Sequence, residues 1–455
     1  MKVHAFGAWT IHACFMHGLL GGNQSADKHR MVPPFLFMKR TLLFILTIAI
    51  SILAKATDIV EIDGIFYELK PVKVGTASVT SDPAVVGYKL YAGDISIPAT
   101  IEYEGNTYKV TEIAKYAFMG CRELLSATLP DGLTTIGFGA FDGCSSLISI
   151  NIPSSVTTID QWAFRECAGL TAVSITDIAA WCGIAFGDYS NPLYYAKHLF
   201  VDGKEITELR IPDNVTSIGD RAFNGFEKLQ SVELGNGVKS IGSYAFAWCN
   251  LLSTIVIPEN VETIGSYAFY ECIGLSSLSL SNQIEKIANR SFSGCSSLEE
   301  LNIPYGIKEI DNGAFEKCNK LKKIYISESV EKIGAGAFGN CENITDVYCL
   351  ALIPPVPNTF YYSTLSNYFW QSYINYSTLH VPESSIDSYK NAFTWSDFGT
   401  IIALTNEETS IQYTKDKGES SMQYYSLGGN LLKTPRKGIN IIKLPNGKAK
   451  TVIVK

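Results

Sequence analysis

The chain has 455 residues, and 37 Lys and Arg against 44 Asp and Glu give it a formal charge of -7. Both ends are basic: residues 1–56 carry six Lys or Arg and one Asp, and residues 405–455 carry nine basic and four acidic side chains, so about -17 falls on residues 57–404. That balance excludes a nucleic-acid partner, which selects clustered Lys and Arg, and it marks the tail as a functional segment separate from the body.

Residues 1–37 show neither repeat nor pattern and read as a non-native extension ahead of a natural start at Met38. Met38-Lys39-Arg40 opens a basic segment, Leu42 to Leu53 is an apolar run broken only by Thr47 and Ser51, and Ala54-Lys55-Ala56 is a small-x-small cleavage site. Residues 38–56 therefore read as a secretory signal peptide. A membrane anchor needs about 20 apolar residues and this run is shorter. The absence of Cys directly after the cleavage site gives no sign of a lipid anchor.

Residues 57–110 alternate apolar and polar side chains (Ile62, Ile65, Tyr67, Leu69; Ile95, Ile97, Ile101, Tyr103), with turns at Asp63-Gly64 and Glu104-Gly105-Asn106. Such short strands cap the open end of a repeat array, whose first coil would otherwise expose a sheet edge and core.

Residues 111–350 repeat. The block Ile-x-x-x-Ala-Phe-x-x-Cys-x-x-Leu recurs with its phenylalanine at 118, 141 and 164, then at 223, 246, 269, 292, 315 and 338; every step is 23 residues except one of 59. A fixed period of this length is the mark of a solenoid, in which each coil buries its apolar face only against its neighbours. In one coil, Leu147, Ile150 and Ile152 point inward from a strand that Pro153 ends. Val156 and Ile159 form a second short strand, and Gln161 to Glu166 make a tight helical turn presenting Phe164 and Cys167. Each buried apolar side chain contributes about 1.5–3 kcal/mol, enough to offset the ordering of a coil only when both neighbours are present. The long step marks an irregular coil at 176–211.

Eight cysteines share one column (Cys121, Cys144, Cys167, Cys249, Cys272, Cys295, Cys318, Cys341). Phe226 takes that slot in another coil, so the column reads as reduced core filler, although an exported chain is disulfide-permissive and adjacent coils come within bridging range.

These blocks resemble the bacterial surface leucine-rich repeat family typified by the BspA adhesin, whose repeat reads I-P-x-x-V-x-x-I-G-x-x-A-F-x-x-C-x-x-L. The resemblance spans about residues 95–404, including Ala180-Trp181-Cys182, Asn191-Pro192-Leu193, Pro354-Pro355, Val381-Pro382-Glu383 and Trp395-Ser396-Asp397-Phe398. It implies a leucine-rich-repeat solenoid of stacked short strands with β-rich caps, on the outer cell surface or outside the cell, binding host proteins or other cells. The repeat signature describes a core and carries over no ligand.

The closing segment, 351–404, holds the run from Phe360 to Tyr376, eight aromatics in 17 residues, which reads as an insertion. Outward strand positions are mostly small and polar until Tyr325 and Tyr348. A partner is therefore expected at Tyr325, Tyr348, Tyr361, Tyr362, Tyr368, Trp370 and Tyr373, since Tyr and Trp supply large contact area at low entropic cost. The bland alternative is a satellite core under a loop. Residues 405–455 read as a small antiparallel β module. Tyr425-Ser426-Leu427-Gly428-Gly429, Lys437 to Ile442 and Val452 to Lys455 resemble the C-terminal sorting domain of type IX secretion in Bacteroidetes, which implies contact with secretion machinery; a plain β cap is the alternative.

Nothing calls for catalysis. After the signal the chain has only His198 and His380, in no ligand-spaced cluster, and acidic pairs such as Glu299-Glu300 and Glu407-Glu408 suit solvated faces. Glycines such as Gly219, Gly242 and Gly265 sit at repeat-locked turns and form no phosphate loop, so no cofactor, metal or enzymatic activity is expected. The expected function is adhesin-like binding of an extracellular protein along the solenoid face. The alternatives are a glycan- or mucin-binding protein using the C-terminal aromatics, and a structural stalk.

Overall fold

The computed structural model describes residues 58–82, 91–358 and 367–405, and in the tail the backbone of four strands. The signal segment, Tyr361 and Tyr362, and most of the tail lie outside the described residues. The chain divides into Met1–Ala56 and Thr57–Lys455, and every element described belongs to the second unit.

That unit is a β-solenoid of about 12 turns. Two columns of parallel strands run along it. The longer strands include Leu124–Thr128, Ser149–Asn151, Glu300–Ile303, Lys323–Ile326 and Asp346–Cys349. The shorter ones, such as Thr135–Ile136, Thr158–Ile159 and Ser240–Ile241, have two residues each. Register follows the period, with Ile136 beside Ile159 and Ile241 beside Ile264. Strands at Asp58–Ile62, Ile65–Leu69 and Thr76–Thr80 pair antiparallel at the N-terminal end and lead into the shorter column. Four tail strands within residues 423–454 form a separate antiparallel sheet.

The phenylalanine column is the spine of the core. Phe118, Phe141 and Phe164 stack at 4.9 and 5.1 Å, and Phe223 to Phe338 at 5.2–5.8 Å, with interplanar angles of 11° or less. The isoleucine column (Ile136, Ile159, Ile218, Ile241, Ile264, Ile287, Ile310, Ile333) is buried beside it. Across the irregular coil a five-residue helix at Ile178–Cys182 buries Trp181, whose indole Nε1–H donates to the Ala222 carbonyl at 2.7 Å.

The turn around each phenylalanine is tight but not one continuous helix. The residues two before and two after it adopt the left-handed region: Trp162 (φ 65°) and Glu166 (59°) flank Phe164, and Tyr244 (57°) and Trp248 (60°) flank Phe246. Between them the turn alternates short internal bonds, such as Ala163 N–H to Asp160 O at 3.1 Å, with bonds between coils, such as Phe141 N–H to Ala163 O at 2.8 Å. Close approach also fixes the Ile-Gly step: a Cβ on Gly242 would lie 2.5 Å from the Asp220 backbone nitrogen.

All ten described cysteines are free and buried. Each thiol in the column from Cys144 onward donates to the phenylalanine carbonyl of the preceding coil, for example Cys144 to Phe118 at 3.0 Å and Cys272 to Phe246 at 3.1 Å. Burial pushes Cys121 up to about 11 and Cys167 and Cys272 to about 12, and such thiols behave as apolar filler.

Candidate binding site at the C-terminal end

The closing segment is built by the same rules as the array. Phe338 N–H donates to Tyr368 O at 2.8 Å and Asn340 N–H to Trp370 O at 2.7 Å, the bonds that successive coils exchange elsewhere. Phe369 stacks on Phe338 at 5.2 Å and so continues the phenylalanine column. Ser372 takes the cysteine slot: its hydroxyl donates to Phe338 O at 2.6 Å, as the cysteine thiols do one coil earlier. The run Phe360–Tyr376 is therefore not an insertion throughout, since residues 367–372 form a coil turn.

That register settles which aromatics face in. Tyr368 occupies the alanine position of its turn; it is 1% exposed and its hydroxyl donates to Pro355 O at 3.2 Å. Trp395 Nε1–H donates to the same carbonyl at 3.0 Å, and Tyr389 donates to Ala351 O at 2.8 Å. Tyr368 was expected to contact a partner, and it is instead part of the closing core. Burial pushes its phenol up.

Tyr325 and Tyr348 also depart from expectation. They sit side by side on adjacent strands, with rings stacked at 4.6 Å and 9°, and Tyr348 stacks on His380 at 4.3 Å. His380 Nε2 lies 3.1 Å from Asp346 Oδ1. The two tyrosines are only 7% and 8% exposed, because a stack that fills both ring faces leaves little open surface. They order this end of the strand face and do not form the open platform expected of them.

Trp370 and Tyr373 are exposed, at 39% and 60%, and Tyr376 beside them at 85%. Gln371 and Tyr373 hold left-handed backbone (φ 60° and 50°), so this turn presents its rings from a constrained conformation. Leu352, Ile353 and Val356, in the loop leading to Pro355 and the short strand after it, are exposed as well. Tyr361 and Tyr362 lie outside the described residues. Sequence reading missed a second aromatic group on the coil turns, where the exposed Tyr189 and Tyr194 lie beside the half-buried Trp248. Its signal was present: the positions two from each phenylalanine vary among glycine, polar or charged, and aromatic residues, and the aromatics Tyr244, Trp248 and Tyr267 fall on neighbouring coils.

Among the described residues no group of three or more His, Cys, Asp or Glu is placed to hold a metal ion, and no helix is long and apolar enough to cross a membrane.

Two strand columns, a buried phenylalanine spine and a 23-residue period define a bacterial-type leucine-rich-repeat solenoid. The BspA type leucine rich repeat region family matches in six copies over residues 100–188, 195–272 and 240–366, and the chain belongs to that family. A search of curated proteins returned no match. Similar solved structures include a leucine-rich repeat protein from Bacteroides ovatus (23% identity, 76% of this chain and 100% of that one, TM-score 0.41). A leucine rich cell surface protein from Faecalibacterium prausnitzii is also 23% identical (70% and 99%, TM-score 0.34). The pneumococcal vaccine antigen PcpA is 18% identical (77% and 100%, TM-score 0.45).

Proposed function

We propose that the chain is an exported, surface-associated, non-catalytic binding protein that recognises an extracellular macromolecule, with Trp370 and Tyr373 at the contact. The observation that carries the reading is the C-terminal coil turn, whose register buries Tyr368 and Phe369 while leaving Trp370 and Tyr373 exposed on constrained backbone. Rigid display of Tyr and Trp lowers the entropic cost of association. Membership of a repeat family named for a surface adhesin supports the location. The basic, apolar and small-residue order of residues 38–56 supports export, and the strands within 423–454 are compatible with a sorting module that engages secretion machinery.

The purified exported chain, screened against immobilised matrix proteins and glycans, should bind at least one saturably. Trp370→Ala with Tyr373→Ala should weaken that binding by about 2 kcal/mol or more, with an unchanged melting temperature. Binding lost only in proportion to lost fold would make these rings cap components and end the proposal.

A further inference from the structure

The middle of the array carries a second aromatic surface, on the coil turns and away from the C-terminal end. Positions two before and two after each core phenylalanine are left-handed in every regular coil, and glycine fills them at 120, 139, 143, 225, 294, 313 and 336. Glycine is the residue that takes this conformation without strain. Around Phe246 and Phe269 the same positions hold Tyr244 (φ 57°), Trp248 (60°) and Tyr267 (60°). Side chains take these positions in other coils too, as at Tyr116, Trp162 and Arg290, but only here do three aromatics stand on two neighbouring turns.

The rings form one surface. Tyr244 and Tyr267 stack at 4.6 Å and 4°, Trp248 lies 6.4 Å from Tyr244 and 5.3 Å from Tyr270, and Tyr194 of the irregular coil meets Trp248 edge-on at 6.0 Å. Gly225 makes room for Tyr194, whose Cα would lie 2.7 Å from an added Cβ. Tyr194 is 39% and the nearby Tyr189 64% exposed.

The basic side chains around these rings are each paired with a carboxylate, and Glu271 hydrogen-bonds Tyr270. Arg221 pairs with Asp188 and also lies 5.4 Å above the Tyr244 ring; Lys197 pairs with Glu227 at 2.5 Å and Arg290 with Glu316 at 3.3 Å. Asp220 accepts from the Ser243 backbone N–H at 2.6 Å. A charged partner would have to break these pairs, and a polyanion would also meet the acidic body of the chain. A neutral partner has no such obstacle. Phenol hydroxyls, paired carboxylates and guanidinium edges suit a ligand rich in hydroxyls that both donate and accept. The exposed rings of Tyr189 and Tyr194, with the half-buried rings of Tyr244, Trp248 and Tyr267 behind them, suit the apolar faces of sugar rings. Aromatics repeating from coil to coil suit a linear polymer.

From this arrangement we infer that the coil-turn surface around Tyr194, Tyr244, Trp248 and Tyr267 binds an uncharged oligosaccharide chain laid across successive coils. The site is separate from Trp370 and Tyr373, so either can fail without the other.

The test uses the full exported chain and an array of immobilised neutral gluco-, manno-, galacto- and xylo-oligosaccharides, with sialylated and sulfated glycans alongside. Tyr244→Gly, Trp248→Gly and Tyr267→Gly are combined; because glycine suits this backbone, the triple variant should keep its fold. The inference requires binding to at least one neutral oligosaccharide, weakened about tenfold or more in the triple variant and untouched by Trp370→Ala with Tyr373→Ala. Should the triple variant melt early, Tyr189→Gly removes an exposed ring from the same surface and must itself weaken binding. Absence of neutral-glycan binding, preference for the charged glycans, or unchanged affinity in a folded variant would overturn the inference. So would equal binding to a glycoprotein before and after its glycans are removed, which would assign the surface to a protein.

Discussion

At the scale of single residues, the array relies on side chains that are apolar in effect even where their chemistry is not. The cysteine column fills space beneath the phenylalanines and donates to backbone carbonyls, and burial holds thiols such as Cys121, at about 11, and Cys272, at about 12, well above the ordinary value of 9.0. A thiol released by unfolding ionises near 9, so above that pH the unfolded state binds fewer protons than the folded one. Stability should be flat below pH 9 and fall as pH rises toward 11–12, by up to about 1.4 kcal/mol per pH unit for each thiol. Thermal melts between pH 7 and 11 check this, and a melting temperature indifferent to pH in that range would contradict the buried-thiol column. A thiol reagent should label the native chain only after unfolding.

At the scale of the coil, each turn exchanges bonds and ring contacts with its two neighbours. Phe269 stacks on Phe246 at 5.3 Å and on Phe292 at 5.2 Å. Phe269→Ala should therefore cost about 3–5 kcal/mol and raise hydrogen exchange first in the adjoining coils. Uniformly raised exchange along the array would contradict nearest-neighbour coupling. Most of the coil was legible in the sequence because period 23 places phenylalanine, isoleucine and cysteine in single-file columns. The final coil was less legible: residues 359–366 intervene ahead of it, so Phe369 falls out of step by spacing while remaining in step by hydrogen bonding. For that reason Tyr368 looked like surface and is core. Tyr325 and Tyr348 misled differently, because strand alternation gives the side of the sheet but not what their rings stack against.

At the scale of the whole molecule, core and function separate along the repeat. Columns that recur in every coil hold the fold, whereas positions free to vary carry exposed aromatics at Trp370 and Tyr373 and half-buried ones on the central turns. Processing should follow the N-terminal signals, so terminal sequencing of the exported protein should begin near Thr57; a start at Met38 would contradict export by cleavage. Deleting residues 410–455 should leave the solenoid's melting transition intact and reduce display on the cell, and normal display of the truncated chain would identify the tail as a plain cap. The most direct measurement of the central claim is equilibrium binding of the purified chain to intact epithelial or bacterial cells, beside the Trp370→Ala, Tyr373→Ala variant, with both proteins melted in parallel. Saturable binding that falls about thirtyfold or more in a variant of unchanged melting temperature is the predicted result; binding that does not saturate, or that survives the substitutions, would contradict it.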